Sequence, residues 1–443
     1  MIVVVGTGTG APLDAAAREA VRAAGLVAGA RRHLDAAADE VPPDAERVVM
    51  GPLAPALDAI ERHVEKAAKR DSATEAFLSG SAARASAAGV VVLASGDPGF
   101  FGIVRALAER FGPAALDVRP GVSSVATAFA RIGLPWDDAV VVSAHGRDVR
   151  TALHACRAHP KVAVLTGPGA GPAELGAELA RRTGTRTLVV ATALGDPEHE
   201  RIERVSPAEA AARDWGAAVS VVLCLDEDRA LAPVRAFTGV GPGPAQWALD
   251  ESEFAHRDSM ITKFEVRALA LARLGPRLGD LVWDIGSGSG SVAVECARFG
   301  AAVVAVEKTA SGCEQIRANA AAHGVDVRVV HGAAPTILSD FSDPDAVFIG
   351  GGGRELPAIV TSCARRARRA VVVAMAALDR VPVVRDTLVA AGYACDGVLL
   401  QSSRLAPLPG EVSRLAATNP VFLLWGVRPA ASSTRTFGEG VVQ

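Results

Sequence analysis

Along the chain, short runs of β-branched residues are separated by longer stretches whose apolar positions recur every three or four residues. In the first half the runs are "MIVVVG" at the start, "VVVLASG" (Val90–Gly96), "AVVVSAHG" (Ala139–Gly146), "KVAVLTGPG" (Lys161–Gly169), "TLVVATALG" and "AVSVVLCL". They lack polar alternation, the pattern of strands covered on both faces, and so predict α/β layering. Lys66–Gly89 is rich in Ala and Ser and poor in large apolar residues, which predicts a surface insertion or a loose helix. After Leu225, "DEDRALAPVRAFTGVGPGPAQWALDESEF" carries closely spaced Pro and Gly and no apolar face, as a linker does. From about Met260 the rhythm resumes with helix "TKFEVRALALARL", strand "LVWDIG", a helix, and the further runs "AVVAVE", "VRVVHG", "AVFIGG", "AVVVAMA" and "VFLLWGV". That order predicts a parallel, doubly wound sheet. The expected division is a domain at 1–228, a linker at 229–242, a second domain at 243–428 and a disordered polar tail at 429–443.

Composition narrows this picture in three places. With 443 residues and 50% hydrophobic content, the chain can build two cores. A net charge of −3 gives no global attraction to nucleic acid or anionic membrane, so neither is an expected partner. No apolar run reaches spanning length and the first residues already read as a strand, so the expected location is cytoplasmic. The six cysteines (Cys156, Cys224, Cys296, Cys313, Cys363, Cys395) include no C-x-x-C pair, and the nine histidines show no ligand spacing. Reduced, buried thiols and no metal site are expected.

Candidate chemistry begins at Asp284-Ile285-Gly286-Ser287-Gly288-Ser289-Gly290, between a strand and a helix. Glycines there let the backbone pass close beneath a ligand. A dinucleotide fingerprint, G-x-G-x-x-G, would need glycine at Ser291. The pattern D-x-G-x-G-x-G is that of a class I methyltransferase holding S-adenosylmethionine, with Asp284 expected to meet the cationic end of the donor. Glu307, closing "AVVAVE", stands where an acid accepts from ribose hydroxyls, and "HGAAP" (His331–Pro335) where backbone borders adenine. An NAD site and an empty structural turn remain the alternatives on these residues alone.

In the first half, "GTGTG" (Gly6–Gly10), "ASGDPGFFG" (Ala94–Gly102) and "RPGVSSVATAFARIGLPWDD" (Arg119–Asp138) resemble the tetrapyrrole methylase family of class III methyltransferases over Met1 to about Leu225. The resemblance implies a two-subdomain α/β fold with the donor folded between the subdomains. Ser95, Gly96, Asp97, Phe100, Ser123 and Ser124 would line it, with Gly6 and Gly8 facing the tetrapyrrole. Two departures are the insertion after Lys66 and "TALGDPEHERI" (Thr192–Ile202), which bears on the substrate cleft. The second half, through "SMITKFEVRALALARL", "VWDIGSGSGSVAVE" and "HGAAP", is similar to Rossmann-like class I precorrin methyltransferases that also decarboxylate. That implies donor contacts at Thr262, Gly286, Ser287, Gly288, Ser289, Gly290, Glu307 and Ala334. Together the resemblances imply methylation of a precorrin at carbons 5 and 15, loss of the carbon-12 acetate carboxyl, one S-adenosylmethionine site per domain and a homo-oligomer, within cobalamin biosynthesis. A methylase with a single active site and a non-catalytic tetrapyrrole or donor sensor stay open.

A polycarboxylate substrate calls for cationic or N–H contacts. Lys263 and His145, the latter with Arg147, are candidates, as are His256 and Arg257; each has a plain surface reading beside it. Trp136 and Trp247 read as packing anchors and Tyr393 as structural. No residue is marked as a general base.

Overall fold

The computed structural model describes residues 1–10, 12–75, 89–181, 186–216, 220–231, 248–257 and 261–429. Contacts divide the chain into one unit of Met1–Asp137, Ser143–Arg147 and Ala163–Pro233, and a second of Asp138–Val142, Asp148–Val162 and Val234–Gln443. The expected 1–228 domain is therefore not contiguous in this division, since two short segments group with the second unit. Most of the expected linker, Trp247, and the tail from 430 onward lie outside the described residues.

The opening run becomes β1 (Ile2–Gly6), followed by β2 (Ala24–Gly29), β3 (Glu46–Val49), β4 (Gly89–Ala94) and β5 (Leu116–Arg119). They form a parallel sheet in the order β3-β2-β4-β1-β5. Successive strand residues point to opposite faces. Val5, Val27, Val91 and Leu93 pack with Val21 on one face, and Ile2, Val4, Leu26, Val90 and Val92 with Ile60 and Leu107 on the other. Burial on both faces is why the runs show no polar alternation. The segment expected as an insertion begins inside the helix Leu53–Glu75, and its residues 76–88 fall outside the description.

A second sheet holds β6 (Val140–Ser143), β7 (Lys161–Leu165), β8 (Thr187–Thr192), β9 (Arg201–Val205) and β10 (Ser220–Leu225), in the order β6-β7-β10-β8-β9. Here β8 is antiparallel to both β9 and β10. An apolar run records burial and is blind to strand direction.

The second unit carries β11 (Leu281–Ile285), β12 (Ala302–Glu307), β13 (Val327–His331), β14 (Ala346–Ile349) and β15 (Ala370–Met375), all parallel. They are joined by β16 (Ala394–Leu400) and β19 (Val421–Val427), in the order β13-β12-β11-β14-β15-β19-β16. One expectation fails here. "VFLLWGV" does not continue the parallel series: β19 runs antiparallel between β15 and β16. It is reached through a hairpin, β17 (Ser403–Leu408) and β18 (Val412–Ala417), and without a helical crossover the strand direction reverses. Trp283, Val304 and Val371 face one core of this sheet, and Val282, Val303 and Val372 the other.

Candidate active site

In the second unit, the carboxyl ends of β11 to β14 open onto a cavity of about 760 Å³. That is a volume suited to a small organic ligand. The glycine turn after β11 has φ of +71° at Gly286, +59° at Gly288 and +79° at Gly290. Side chains other than glycine rarely take this conformation. A Cβ on Gly286 would come within 3.3 Å of the Gly351 nitrogen, so the turn lies against the glycine loop that follows β14.

Gly286, Ser287, Gly288, Ser289, Glu307, Thr262, Lys263 and Ala334 all line this cavity. Gly290 does not. It opens the helix Ser291–Arg298, and a Cβ there would meet Ile316 at 2.9 Å, so its absence of side chain serves helix packing. Glu307 ends β12 with its carboxylate spanning two loops. Oε2 accepts from the Gly288 N–H at 3.1 Å, while Oε1 accepts from the Thr309 N–H at 3.0 Å and its hydroxyl at 2.9 Å.

Asp284 corrects an expectation. Its side chain does not reach the cavity: it is 1% exposed, and Oδ2 accepts from the Ser287 hydroxyl at 2.6 Å and the Ala293 N–H at 3.0 Å. Burial pushes its carboxyl up to about 6, against those two hydrogen bonds. Asp284 braces the turn from beneath. Lys263 is also committed, donating to Glu251 at 3.1 Å. Burial raises Glu251, but donation by Arg404, the Phe264 N–H and Lys263 outweighs it and holds the carboxyl at about 2. His256 and Arg257 are exposed, and Arg257 lines the cavity.

The backbone at Ala255 and at Thr262 is held by residues that the sequence pattern does not single out. Asn319, buried, gives its amide to the carbonyls of Ser289 and Ala255 and accepts from the Ala255 N–H at 2.7 Å. Arg267 and Glu295 form a fully buried ion pair at 3.2 Å, and Arg267 donates to the Thr262 carbonyl at 2.6 Å. A polar side chain at a helix position that otherwise reads as core is the only signal that could have found them.

In the first unit, the link from β1 leads to one side of the sheet and the link from β4 to the other, so the topological switch lies between these strands. Ligands of open α/β sheets bind at such points. Three loops meet there, backbone to backbone. The Gly96 N–H donates to the Gly8 carbonyl at 2.7 Å, and a Cβ on Gly121 would lie 2.6 Å from both the Gly8 nitrogen and the Gly96 oxygen. Gly6 is equally confined, its Cβ position lying 2.4 Å from the Gly121 nitrogen.

The sequence-predicted residues of this half gather at that end. Ser123 caps the helix Ser124–Ile132 by accepting from the Ala126 N–H, and Asp97 accepts from the Gly99 N–H at 2.8 Å. Phe100 packs edge-on against Phe101 at 5.0 Å. Ser95 accepts from Arg32 at 2.7 Å and lies 2.9 Å from His33 Nε2, two partners that no sequence motif marks. Burial, then the Arg32 charge, lowers the His33 pKa, opposed by a backbone hydrogen bond at Leu93. His145 packs against Gly167, whose Cβ would come within 2.8 Å of its Cα. The departing loop Thr192–Ile202 reaches the opening loop too, since a Cβ on Gly195 would collide with the Thr9 carbonyl.

Trp136 stacks on Phe129, and the buried Tyr393 hydroxyl donates to the carbonyls of Ala364 and Ala367. None of the six cysteines forms a disulfide, and five are buried. No described helix is long and apolar enough to cross a membrane.

Two family models match the chain: Tetrapyrrole (Corrin/Porphyrin) Methylases over residues 1–211, and Precorrin methyltransferase domain over 252–425. A protein of Sinorhizobium sp named precorrin-6Y C(5,15)-methyltransferase [decarboxylating] is 37% identical over 348 residues, covering 76% of this chain and 75% of that one. This chain belongs to the precorrin-6Y C(5,15)-methyltransferase (decarboxylating) family. Two shorter relatives each name a single methylation position. A "Probable cobalt-precorrin-6B C(15)-methyltransferase (decarboxylating)" of Pyrobaculum calidifontis is 34% identical over 170 residues, 37% of this chain and 87% of its own. A "Cobalt-precorrin-7 C(5)-methyltransferase" of Salmonella typhimurium is 39% identical over 140 residues, 31% of this chain and 67% of its own.

Its methyltransferase relatives imply S-adenosylmethionine as the methyl donor, and the residues lining the cavity of the second unit fit that group. A carboxylate stands at the end of β12, where a ribose would present its hydroxyls. The Ser289 hydroxyl, buried at the cavity, has no hydrogen-bond partner among the described residues. A bound polar ligand would satisfy it.

Proposed function

We propose that this chain transfers methyl groups from S-adenosylmethionine to carbons 5 and 15 of a precorrin and removes the carbon-12 acetate carboxyl as carbon dioxide. The first unit would serve carbon 5, and the second carbon 15 and the decarboxylation, each with its own donor site. The observation that carries this reading is the glycine-turn cavity of the second unit, with Glu307 and the orphaned Ser289 hydroxyl, in the half matched by the precorrin methyltransferase model. The separate C(5) and C(15) names of the shorter relatives support the division of labour.

The bound donor supplies an electrophilic methyl group, and the meso carbons of a reduced tetrapyrrole are enamine-like nucleophiles. The protein's own work is then alignment. Glu307 orients the donor through its ribose, the backbone of Gly286–Ser289 seats it, and Thr262 adds a donor contact at a position fixed by Arg267. Holding the reacting atoms in near-attack geometry is worth roughly 7–11 kcal/mol in favourable cases. For decarboxylation the ring accepts the electron pair, so a water-poor cavity and an oriented carboxylate suffice.

The test is to incubate the pure protein with metal-free precorrin-6B and methyl-labelled donor and weigh the product. Two labelled methyls gained with one carbon dioxide lost supports the double reaction. Gly288→Arg, which fills the turn, should lose carbon-15 methylation and decarboxylation alone, and Asp97→Ala carbon-5 methylation alone. One methyl without loss of mass means a single-site methylase. Donor binding without transfer, on both metal-free and cobalt-bearing substrate, means a sensor.

A further inference from the structure

Phe101, in the loop after β4, has φ +55°. A bulky residue in this region is a genuine outlier, and such strain persists where surrounding structure holds it for a purpose. The packing of the unit does not repay it, because the Phe101 ring is 47% exposed. The loop geometry fixes it instead. A Cβ on the next residue, Gly102, would sit 2.4 Å from the Pro98 carbonyl, so the chain turns tightly here and carries the Phe101 ring outward.

Two further exposed residues stand on loops of the same unit. Val122, on the loop after β5 and beside Gly8 and Gly96, is 61% exposed. Arg147, on the turn after β6, lies over the Phe101 ring with its guanidinium 5.7 Å from the centroid. That is a cation–π contact. No carboxylate among the described residues pairs with Arg147, which is itself exposed. A half-exposed aromatic ring and an unneutralised cation thus stand together beyond the carboxyl end of β4, and the exposed Val122 lies beside Gly96 in the loop that β4 enters.

We propose that Phe101 and Arg147 anchor the acceptor of the first unit: the aromatic face takes the macrocycle and the guanidinium takes one of its peripheral carboxylates. This rests on the carbon-5 reading given above. A large, flat, apolar ring edged with carboxylates matches the arrangement in both parts. Binding neutralises Arg147, covers the exposed aromatic surface, and leaves its cation–π contact in place at the margin. A carboxylate on a planar guanidinium is bidentate, which fixes the rotation of the ring as well as its position.

The full-length protein supplies its own control, because the carbon-15 step reads the integrity of the rest of the chain. In Arg147→Gln the KM for precorrin in the carbon-5 step should rise about tenfold or more, with the donor KM and the carbon-15 step unchanged, and Arg147→Lys should restore part of the loss. Phe101→Gly relieves the backbone, so its melting temperature should hold or rise while carbon-5 methylation falls. An ordinary packing residue would do the opposite. Unchanged precorrin KM in both Arg147→Gln and Phe101→Gly overturns the anchor. A wild type that methylates carbon 15 but never carbon 5 overturns the underlying reading instead, and the anchor with it.

Discussion

Glu307 illustrates what a single residue decides here. Its carboxylate is shared between the Gly288 turn and Thr309, so it positions the loop and presents charge to the cavity at once. Hydrogen bonds to a charged acceptor contribute about 1.5–3 kcal/mol each. Glu307→Gln should therefore raise the donor KM of the carbon-15 step on the order of 10- to 100-fold, with the carbon-5 step unaffected in the same preparation. Asp284 makes a different prediction. Its folded-state pKa, about 6, lies above that of an unfolded aspartate. The native state then binds the extra proton between about pH 4 and 6, so this contribution to stability is full below that range and lost as pH rises through it. The loss amounts to about 3 kcal/mol at most. Asp284→Asn should flatten the fall in melting temperature across that interval. A slope identical to wild type would show that Asp284 keeps its charge in the fold.

At the scale of elements, the backbone at Ala255 and Thr262 depends on buried groups that do not themselves line the cavity. Arg267 and Glu295 are both fully buried, and removing one partner of such a pair strands the other in a low dielectric at a cost of roughly 3–5 kcal/mol. Arg267→Met should lower the stability of the second unit by that order in denaturant unfolding. It should also free Thr262 and raise the donor KM, whereas a purely surface effect would leave both unchanged. Elements are also the scale at which the sequence is most legible. The runs "MIVVVG", "LVWDIG" and "AVVAVE" announce β1, β11 and β12 because burial on both faces leaves an unbroken apolar signature. The glycine turn is legible because positive φ selects glycine. The reversal of β19 is not, since burial carries no direction. The role of Asp284 escapes a sequence reading because an acid before the turn looks identical whether it faces a ligand or lies beneath the backbone. Asn319, Arg267 and Phe101 escape it because their meaning lies in partners as far as 64 positions away, or in a backbone angle, and neither is a local pattern.

For the whole molecule, the two units have separate hydrophobic cores, so heating should give two transitions by calorimetry. S-Adenosylhomocysteine, which keeps the adenosine that the Glu307 pocket would hold, should stabilise the second unit by about 2.7 kcal/mol at a hundredfold excess over its Kd, raising its transition. In Gly288→Arg that shift should disappear while the other transition keeps its own response. A single transition moved by one ligand site would mean that the halves fold as one and that the donor sites are not independent.

Tyr393 is the chain's one tyrosine. Buried, with its hydroxyl on the carbonyls of Ala364 and Ala367 and Arg428 over its ring at 4.5 Å, it has its pKa raised by burial against the pull of that guanidinium. Every phenolate signal in an alkaline spectrophotometric titration therefore comes from one known place in the second unit. The protein carries an intrinsic optical probe of that sheet, one that reports its opening without any label and is silent about the other half.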